Sequence, residues 1–492
     1  MSQATAPRRI AVIGGGITGL AAAHHLRELR PDWDTILFES SDRLGGVLQT
    51  EHRDGLLIER SADMFTTRDP WAMDLCRRLG MADQLIGTNP VGRRAMVVSS
   101  GRLCAVPDGF TLMAPARVWP VLTTPILTWR GKLRLAWEFF VKARRETSDE
   151  SLESFAVRRL GREAFERLIQ PLISGIYTAD PSRLSMEAAL PQFVEMERRY
   201  GSVTRALRAA PQQQAGRQEG GARYGLFVAP RDGIGAMIEA LARRLPMESV
   251  RFKTPVSGLS RNEMGQWVLR GDTPQVAAER PFDGVVLATR AYQSGMLVES
   301  VDPALGNLLR SVHYASAAVV VLVVHRDQIA KPFESFGFVV PLREQRRILA
   351  ASFSNLKFAG RAPSEQRIIR VFIGGACQPE LLENDDATLQ RIAMEELGAL
   401  IGLQGAPQFA EVVRWTDAMP QYHVGHVGVV REIELLVAKH PGLALAGNAY
   451  HGVGIPFCIR SGESAAKTLA GVASDQPSAP SVTEIDVSRS GS

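Results

Sequence analysis

The sequence has little cysteine and no long apolar segment, and both shortages limit what the protein can be. Four cysteines lie far apart among its 492 residues, without a C-x-x-C pair. This spacing predicts isolated thiols in a reducing compartment and argues against a disulfide framework, a structural zinc site or any other metal site. The longest apolar run, Ala315 to Val324, is too short to span a bilayer and is rich in valine, so it predicts a buried strand.

Features of export and of nucleic-acid binding are also missing. Met1 to Pro7 is short and polar with no apolar core, so we expect a cytoplasmic protein. We find no stacking-aromatic motif among clustered basic residues and no zinc-finger spacing, which argues against nucleic acid as a partner. The net charge of +5 rests mostly on arginine and would suit an anionic substrate or an anionic membrane surface.

A strand, a glycine-rich turn and a helix are predicted at the start of the chain. Arg8 to Ile13 leads into Gly14, Gly16 and Gly19, which fill a G-x-G-x-x-G pattern before an alanine-rich segment. In a dinucleotide-binding unit the first glycine permits the turn, the second lets backbone approach a diphosphate, and the third lets the helix pack closely on the sheet. Glycine triplets also occur in ordinary turns, so the surrounding sequence must decide.

The following residues favour the dinucleotide interpretation. Asp34 to Glu39 predicts a second strand that ends in an acid twenty residues beyond Gly19. A carboxylate at that place can accept hydrogen bonds from both hydroxyls of an adenosine ribose. Arg43 then adds a cation, and Gly45 and Gly46 leave room for a cofactor to pass.

Glu39, a short spacer and Arg43-Leu44-Gly45-Gly46 together resemble the flavoproteins of the amine-oxidase and phytoene-desaturase superfamily. With Trp415 to Tyr422 and the closing Gly447 to Ala466 added, nearly the whole chain resembles the porphyrinogen oxidases, the family of protoporphyrinogen oxidase and coproporphyrinogen III oxidase. The resemblance implies an oxidoreductase of haem biosynthesis that acts on CH-CH groups with FAD as cofactor and oxygen as acceptor.

The resemblance also implies which residues contact FAD. Glu59 to Asp63 departs from the family, whose members often have a Gly-Pro turn there. The implied FAD contacts are Gly14, Gly15, Gly16, Ile17, Thr18, Gly19, Glu39, Ser40, Arg43, Gly45, Gly46, Val47, Ser61, Ala62, Asp63, Met64, Val256, Trp415, Asn448, Val453, Gly454 and Ile455.

The implied substrate is a porphyrinogen, a large apolar macrocycle with propionates on its rim. Its pocket should be mostly hydrophobic with a few cations. By resemblance Arg94 would bind a propionate, with Arg93 as the neighbouring choice, although both could be surface arginines of a hairpin. The electron chemistry belongs to the cofactor, which passes electrons to oxygen and releases hydrogen peroxide, so no side chain is predicted to be catalytic.

Two other functions fit the same sequence. An amine oxidase or carotenoid-type desaturase would share the FAD frame, but Tyr450 is the only aromatic residue obvious near the final motif. A flavin-binding, membrane-associated protein without turnover is an alternative of another class. The choice between protoporphyrinogen IX and coproporphyrinogen III stays open, as does assembly as a homodimer.

We predict an α/β fold with a discontinuous Rossmann-like FAD-binding domain made of residues 1–85, 223–300 and 426–472. Residues 86–222 would form a helical and substrate subdomain that includes two hairpin strands near residues 93–107. Residues 301–425 would form a β-rich substrate-binding domain. A strand is expected from Val250 to Val256. Two polar segments, residues 212–222 and the tail 473–492, are predicted to be mobile or disordered.

Residues 110–145 combine tryptophans with cations. Rings beside cations suit a surface that lies on an anionic membrane, so peripheral attachment to the cytoplasmic membrane face is one interpretation. A helical subdomain with core tryptophans and a solvated basic face is equally compatible. The residues concerned are Trp119, Trp129, Trp137, Arg117, Arg130, Lys132, Arg134, Lys142, Arg144 and Arg145.

Overall fold

The computed structural model describes residues 7–115, 119–146, 148–209, 226–331 and 333–473, and it has a mixed α/β fold. Arg117 and both segments predicted to be mobile or disordered, apart from Ala473, lie outside the described residues.

Strands and helices alternate through the described part of the chain. The strands are β1 (Arg9–Ile13), β2 (Asp34–Phe38), β3 (Thr50–Arg53), β4 (Leu56–Glu59), β5 (Phe65–Thr66), β6 (Leu85–Gly87), β7 (Ala95–Ser99), β8 (Arg102–Ala105), β9 (Phe110–Thr111), β10 (Ala114–Pro115), β11 (Phe227–Pro230), β12 (Val250–Arg251), β13 (Gly258–Arg261), β14 (Trp267–Arg270), β15 (Gly284–Leu287), β16 (Tyr314–His325), β17 (Gly337–Val339), β18 (Ala350–Phe353), β19 (Gln366–Gly374), β20 (Phe409–Pro420) and β21 (Leu443–Leu445). The α-helices are α1 (Ile17–Leu29), α2 (Pro70–Arg78), α3 (Trp119–Thr123), α4 (Trp129–Ala136), α5 (Leu152–Leu160), α6 (Arg162–Ala164), α7 (Gln170–Tyr177), α8 (Met186–Ala189), α9 (Pro191–Tyr200), α10 (Val203–Ala209), α11 (Gly235–Ala242), α12 (Pro274–Ala277), α13 (Ala291–Val298), α14 (Pro303–Arg310), α15 (Ser354–Lys357), α16 (Asp386–Ile401), α17 (His426–Val437) and α18 (Ile455–Ala470).

A parallel five-stranded sheet lies at the centre of the predicted cofactor domain. Its order is β12-β2-β1-β15-β21, and all neighbouring strands run in the same direction. This order matches the first five strands of the dinucleotide-binding sheet. Residues such as Val12 and Val286 are fully buried because helices or strands cover both faces, with α1 and α18 packed together on one of them. The predicted discontinuous assembly therefore produces one sheet from three distant segments.

A seven-stranded sheet of order β20-β16-β19-β18-β17-β7-β8 forms the second layer. Its strands pair antiparallel except for β17 and β7. The hairpin β7–β8 lies in this sheet, although the sequence placed it with the helical residues 86–222. The apolar residues of β7 explain the difference, because Val97 and Val98 are both buried against the two sides of the sheet.

Helices α3 to α10 form a separate hydrophobic core around Phe155, Leu168 and Phe193. A buried ion pair between Glu138 and Arg159 lies inside this helical part, and both side chains are fully buried. Burial alone would raise the pKa of Glu138, but hydrogen bonds from Ser202 and Arg159 lower it. The helical part is thus a packed unit with its own core.

The predicted strand Val250 to Val256 is wrong in length. Pairing with β2 ends at Arg251, since Lys253 adopts a left-handed conformation with φ of 51°. Thr254 instead donates its backbone N–H to the carbonyl of Glu39 at 2.9 Å. Within the described residues, no helix is both long and apolar enough to cross a membrane.

Candidate functional site

The glycine turn between β1 and α1 has the geometry that the sequence predicts. Gly14 has φ of 106°, and a Cβ there would lie 2.7 Å from the carbonyl oxygen of Ala288. A Cβ on Gly19 would lie 1.9 Å from the carbonyl oxygen of Gly14, so α1 can pack this closely only with glycine. A Cβ on Gly16 would meet no atom within 4 Å, which leaves open space before the first turn of α1. The free N–H groups at this helix end suit a diphosphate.

Glu39 directly follows β2, beside the glycine turn. Its Oε2 accepts a hydrogen bond from the Gly15 backbone N–H at 2.7 Å, and its Oε1 accepts one from Ser41 at 2.8 Å. Val256 is half-buried and packs on the adjoining core, close to Thr254 and its bond to Glu39. The carboxylate and this segment therefore form one end of the site, where a ribose and an adenine would bind.

A second glycine turn contacts the first. Gly45 donates its backbone N–H to the carbonyl of Gly15 at 2.8 Å, and a Cβ on Gly46 would lie 3.2 Å from the Gly16 Cα. Arg43 stabilises the second glycine turn, because its guanidinium donates to the Gly46 carbonyl at 2.6 Å. Ser40 and Val47 are exposed on either side of this turn. The structure thus brings together the predicted residues from Gly14 to Val47.

The turn from Ser61 to Met64 is held by residues of the seven-stranded sheet and of helix α15 beside it. Asp63 accepts a hydrogen bond from Lys357 Nζ at 2.7 Å and lies 3.0 Å from an Arg370 nitrogen. Arg370 also donates to the Ser61 carbonyl. Trp415 donates its Nε1–H to the carbonyl of Arg60 at 2.9 Å, which places the predicted tryptophan beside this turn.

Charges at this turn oppose the cost of burial. Burial alone would raise the pKa of Asp63, but Lys357 and Arg370 lower it to about 2. Burial lowers the pKa of Lys357 although Asp63 opposes that change. Sequence reasoning missed both cations. The available signal was Arg370 itself, a charge within the otherwise apolar run Ile368 to Ile373.

A third turn lies at the same edge of the parallel sheet. β21 and β1 run in the same direction, and each continues through glycines into a helix, so both helix N-termini meet at this edge. Tyr422 is buried beneath the turn: its hydroxyl donates to the Asn448 carbonyl at 2.6 Å and accepts from the Gly452 N–H at 2.8 Å. Helix α18 follows the predicted Val453 and Gly454, and it begins at Ile455.

These three turns and Glu39 fit FAD. The open space at Gly16 admits a diphosphate, two helix N-termini face it, and an acid lies at the ribose end. The predicted contacts in the three glycine turns lie at one edge of the parallel sheet. The predicted contacts Ser61 to Met64 and Trp415 lie on the side of the seven-stranded sheet.

The two predicted substrate-binding arginines differ in their surroundings. Arg93 donates to the carbonyls of Thr88 at 2.7 Å and Asn89 at 3.0 Å. Arg94 is exposed, and its guanidinium has no hydrogen bond or ion pair with any other described residue. Asn89 bonds in turn to the backbone of Leu356 and Lys357, so this loop adjoins the Asp63 cluster. Arg94 therefore has its whole guanidinium available for a ligand, whereas Arg93 uses two of its nitrogens on backbone carbonyls.

An exposed aromatic surface lies on the helical part. Trp119, Trp129 and Trp137 are 74%, 71% and 60% exposed, and Leu133 and Phe140 are 70% and 72% exposed. Trp129, Leu133 and Trp137 are four residues apart, so they share one side of α4 and of the turn that follows it. Of the two alternatives for this segment, the one with core tryptophans is therefore wrong, because the opposite side of α4 supplies the buried residues Gly131 and Leu135.

Comparison with known proteins agrees with this geometry. The family of flavin containing amine oxidoreductases matches residues 17–470. Coproporphyrinogen III oxidase of Bacillus subtilis is 32% identical over 463 residues, 93% of this chain and 97% of that protein. Protoporphyrinogen oxidase 2 of Arabidopsis thaliana is 25% identical over 94% of each chain. A crystal structure from Exiguobacterium sp. 255-15, assigned provisionally as a protoporphyrinogen oxidase, superposes with a TM-score of 0.83 at 29% identity and covers 94% of this chain and 98% of its own.

More distant flavoproteins share the fold. Cyclohexylamine oxidase from Brevibacterium oxydans superposes with a TM-score of 0.68 at 15% identity over 94% of this chain and 99% of its own. The match of residues 17–470 spans most of the sequence and includes the second and third glycine turns, while the first turn lies directly before it. The chain belongs to the flavin containing amine oxidoreductase family, and its cofactor is FAD.

Proposed function

We propose that the protein oxidises a porphyrinogen to the corresponding porphyrin in haem biosynthesis. The observation that carries this proposal is the match along 93% of the chain to a coproporphyrinogen III oxidase, combined with an FAD site that retains each predicted turn. Within this function we favour coproporphyrinogen III as substrate. The relatives with that name are 29–32% identical to the chain, whereas the plant protoporphyrinogen oxidases are 25–26% identical.

The residues of the site have separable tasks in this reaction. When bound, FAD supplies the oxidation by accepting hydride equivalents from the macrocycle, and oxygen then takes the electrons and yields hydrogen peroxide. Glu39 and the glycine turns bind the cofactor. Arg94 offers an unpaired cation to a propionate. The protein orients the macrocycle and excludes water from the face of the macrocycle that is oxidised.

Aerobic assay of the purified FAD-loaded protein tests this function. We expect porphyrin fluorescence to appear together with peroxide, and faster with coproporphyrinogen III than with protoporphyrinogen IX. Peroxide formation with amines alone would instead identify an amine oxidase. Absence of turnover with both porphyrinogens and amines, in protein that has bound FAD, would contradict the proposal.

We also propose that the exposed aromatic surface contacts an anionic membrane. Four aromatic rings are at least 60% exposed, and exposed patches of this kind mark interaction sites. Glu138 is the only acidic residue from 119 to 145, and it is buried. Arg130, Lys142 and Arg145 are exposed cations, so residues 119–145 themselves present rings and positive charge without an exposed carboxylate. Arg134 does not contribute, because it caps the carbonyls at the end of α5.

Co-sedimentation with vesicles tests the membrane contact. We expect binding to vesicles that contain phosphatidylglycerol, weaker binding at high salt, and a loss of binding in Trp129→Ser/Trp137→Ser. Met247→Ser is the matched control, since Met247 is 89% exposed outside this surface. Recovery of the unsubstituted protein in the supernatant at moderate salt would overturn the proposal.

A further inference from the structure

Two buried cations, one in the seven-stranded sheet and one in the short helix after its strand β18, contact the Ser61–Met64 turn. Lys357 ends α15 and Arg370 lies within β19, and their exposed fractions are 5% and 2%. Both contact Asp63, and Arg370 also donates to the Ser61 carbonyl. Charged groups this deeply buried persist only with close partners, so their arrangement constrains the turn that supplies those partners.

A chain of contacts joins this turn to the diphosphate end of the FAD site. Gly45 bonds to Gly15, and the next residues lead to Thr50, which donates to Glu59 at 2.7 Å. Glu59 also accepts from the Ile234 N–H at 2.7 Å before α11. The Ser61–Met64 turn is therefore connected to the glycine turns along one side of the cofactor site. Trp415 connects the same turn to β20, the strand that ends shortly before the buried Tyr422.

The Asp63 carboxylate is held from the side of the second sheet. Among the described residues, its carboxylate has hydrogen-bond or ion-pair contacts only with Arg370 of the second sheet and with Lys357 of α15, the helix that follows β18 of that sheet. Arg361 adds a third buried cation nearby, but its guanidinium donates to the carbonyls of Pro230 and Arg231. The position of Asp63 hence depends on two side chains from a distant part of the chain, of which Lys357 lies 294 residues away in sequence and Arg370 still further.

We propose that Lys357 and Arg370 are positioning residues for FAD: by holding Asp63 and Ser61 from the second sheet, they fix the turn as one wall of the cofactor site. The inference rests on FAD binding and not on the identity of the substrate. FAD affinity should then depend on the contact between the two sheets. Neither residue is assigned a part in the chemical step.

FAD titration of the apoprotein, followed by flavin fluorescence, tests the proposal. Lys357→Met and Arg370→Met each remove one charged hydrogen-bond partner of the turn, so we expect the Kd for FAD to rise about tenfold or more. Arg346→Met is the matched control. Arg346, in the loop before β18, forms a partly buried ion pair at 2.7 Å with Glu396 of α16, without contact to the turn. It should lower the Tm of the apoprotein and leave the Kd for FAD within about twofold.

A double variant separates positioning from general stability. Asp63→Asn leaves two cations without their carboxylate, whereas Asp63→Asn/Lys357→Met removes the pair together and should fold even where a single variant does not. We expect the double variant to keep a raised Kd for FAD because the turn is still released. An unchanged Kd in folded Lys357→Met, Arg370→Met or the double variant would overturn the proposal, as would an equal rise in Arg346→Met.

Discussion

The Nζ of Lys357 lies 2.7 Å from the Asp63 carboxylate, although 294 residues separate the two in sequence. Asp63 belongs to the turn after β4, and Lys357 to the helix after β18. Their buried ion pair connects the Ser61–Met64 turn to the side of the seven-stranded sheet. Removing the Asp63 carboxylate would leave Lys357 and Arg370 buried without their acidic partner, and breaking a buried ion pair in this way costs about 3–5 kcal/mol.

The first prediction concerns acid stability. The pKa of Asp63 is lowered in the fold from its ordinary 3.8 to about 2, so its ionised form stabilises the native state. This contribution is complete above pH about 4 and is lost as the pH falls from there through about 2. Asp63→Asn should be less stable than the unsubstituted protein at pH 6, and the difference in Tm should shrink as the pH is lowered to 3. A constant difference would show that ionisation of Asp63 is not responsible.

Local sequence predicted the glycine turns well because each requirement lies within a few residues. Gly14 and Gly19 can be recognised from the spacing of one strand, turn and helix, and Glu39 from the strand that follows. The sequence could not show that Lys357 and Arg370 are partners of Asp63, because only the folded chain brings these distant segments into contact. Similarly, residues 110–145 left open whether the tryptophans were buried, since α4 has apolar residues on both of its sides.

The second prediction concerns the ribose end of the site. Glu39→Ala should raise the Kd for FAD about tenfold or more, because it removes a charged acceptor of hydrogen bonds. Flavin fluorescence titration of the apoprotein measures this change. Asp42→Ala is the control, since Asp42 is an exposed acid three residues away. Equal effects of the two substitutions would point to net charge in place of the specific Glu39 carboxylate.

The third prediction separates cofactor binding from helix packing with two glycine substitutions. Gly16→Ala should fold normally, because its Cβ meets no atom within 4 Å and its φ is −69°. The new methyl group would enter the space offered to the diphosphate, so FAD affinity should fall while the apoprotein Tm changes little. Gly462→Ala should instead lower the Tm of the apoprotein. The Cβ of the new alanine would lie 2.2 Å from the Thr18 carbonyl oxygen, where α18 packs on α1. Loss of stability without loss of FAD affinity in Gly16→Ala would contradict the assigned role of Gly16.

The last prediction distinguishes the two neighbouring arginines by steady-state kinetics. Arg94→Ala should raise the KM for coproporphyrinogen III about three- to tenfold with a smaller change in kcat, because it removes a cation from a bound propionate and not from the reacting carbon. Arg93→Ala should instead lower the Tm, since its guanidinium holds the carbonyls of Thr88 and Asn89. Arg94→Lys keeps the charge but loses the paired donors, so it should give an intermediate KM. If Arg94→Ala leaves KM unchanged, the propionate must bind elsewhere on the sheet. A fall in kcat alone would mean that Arg94 positions the macrocycle for the chemical step.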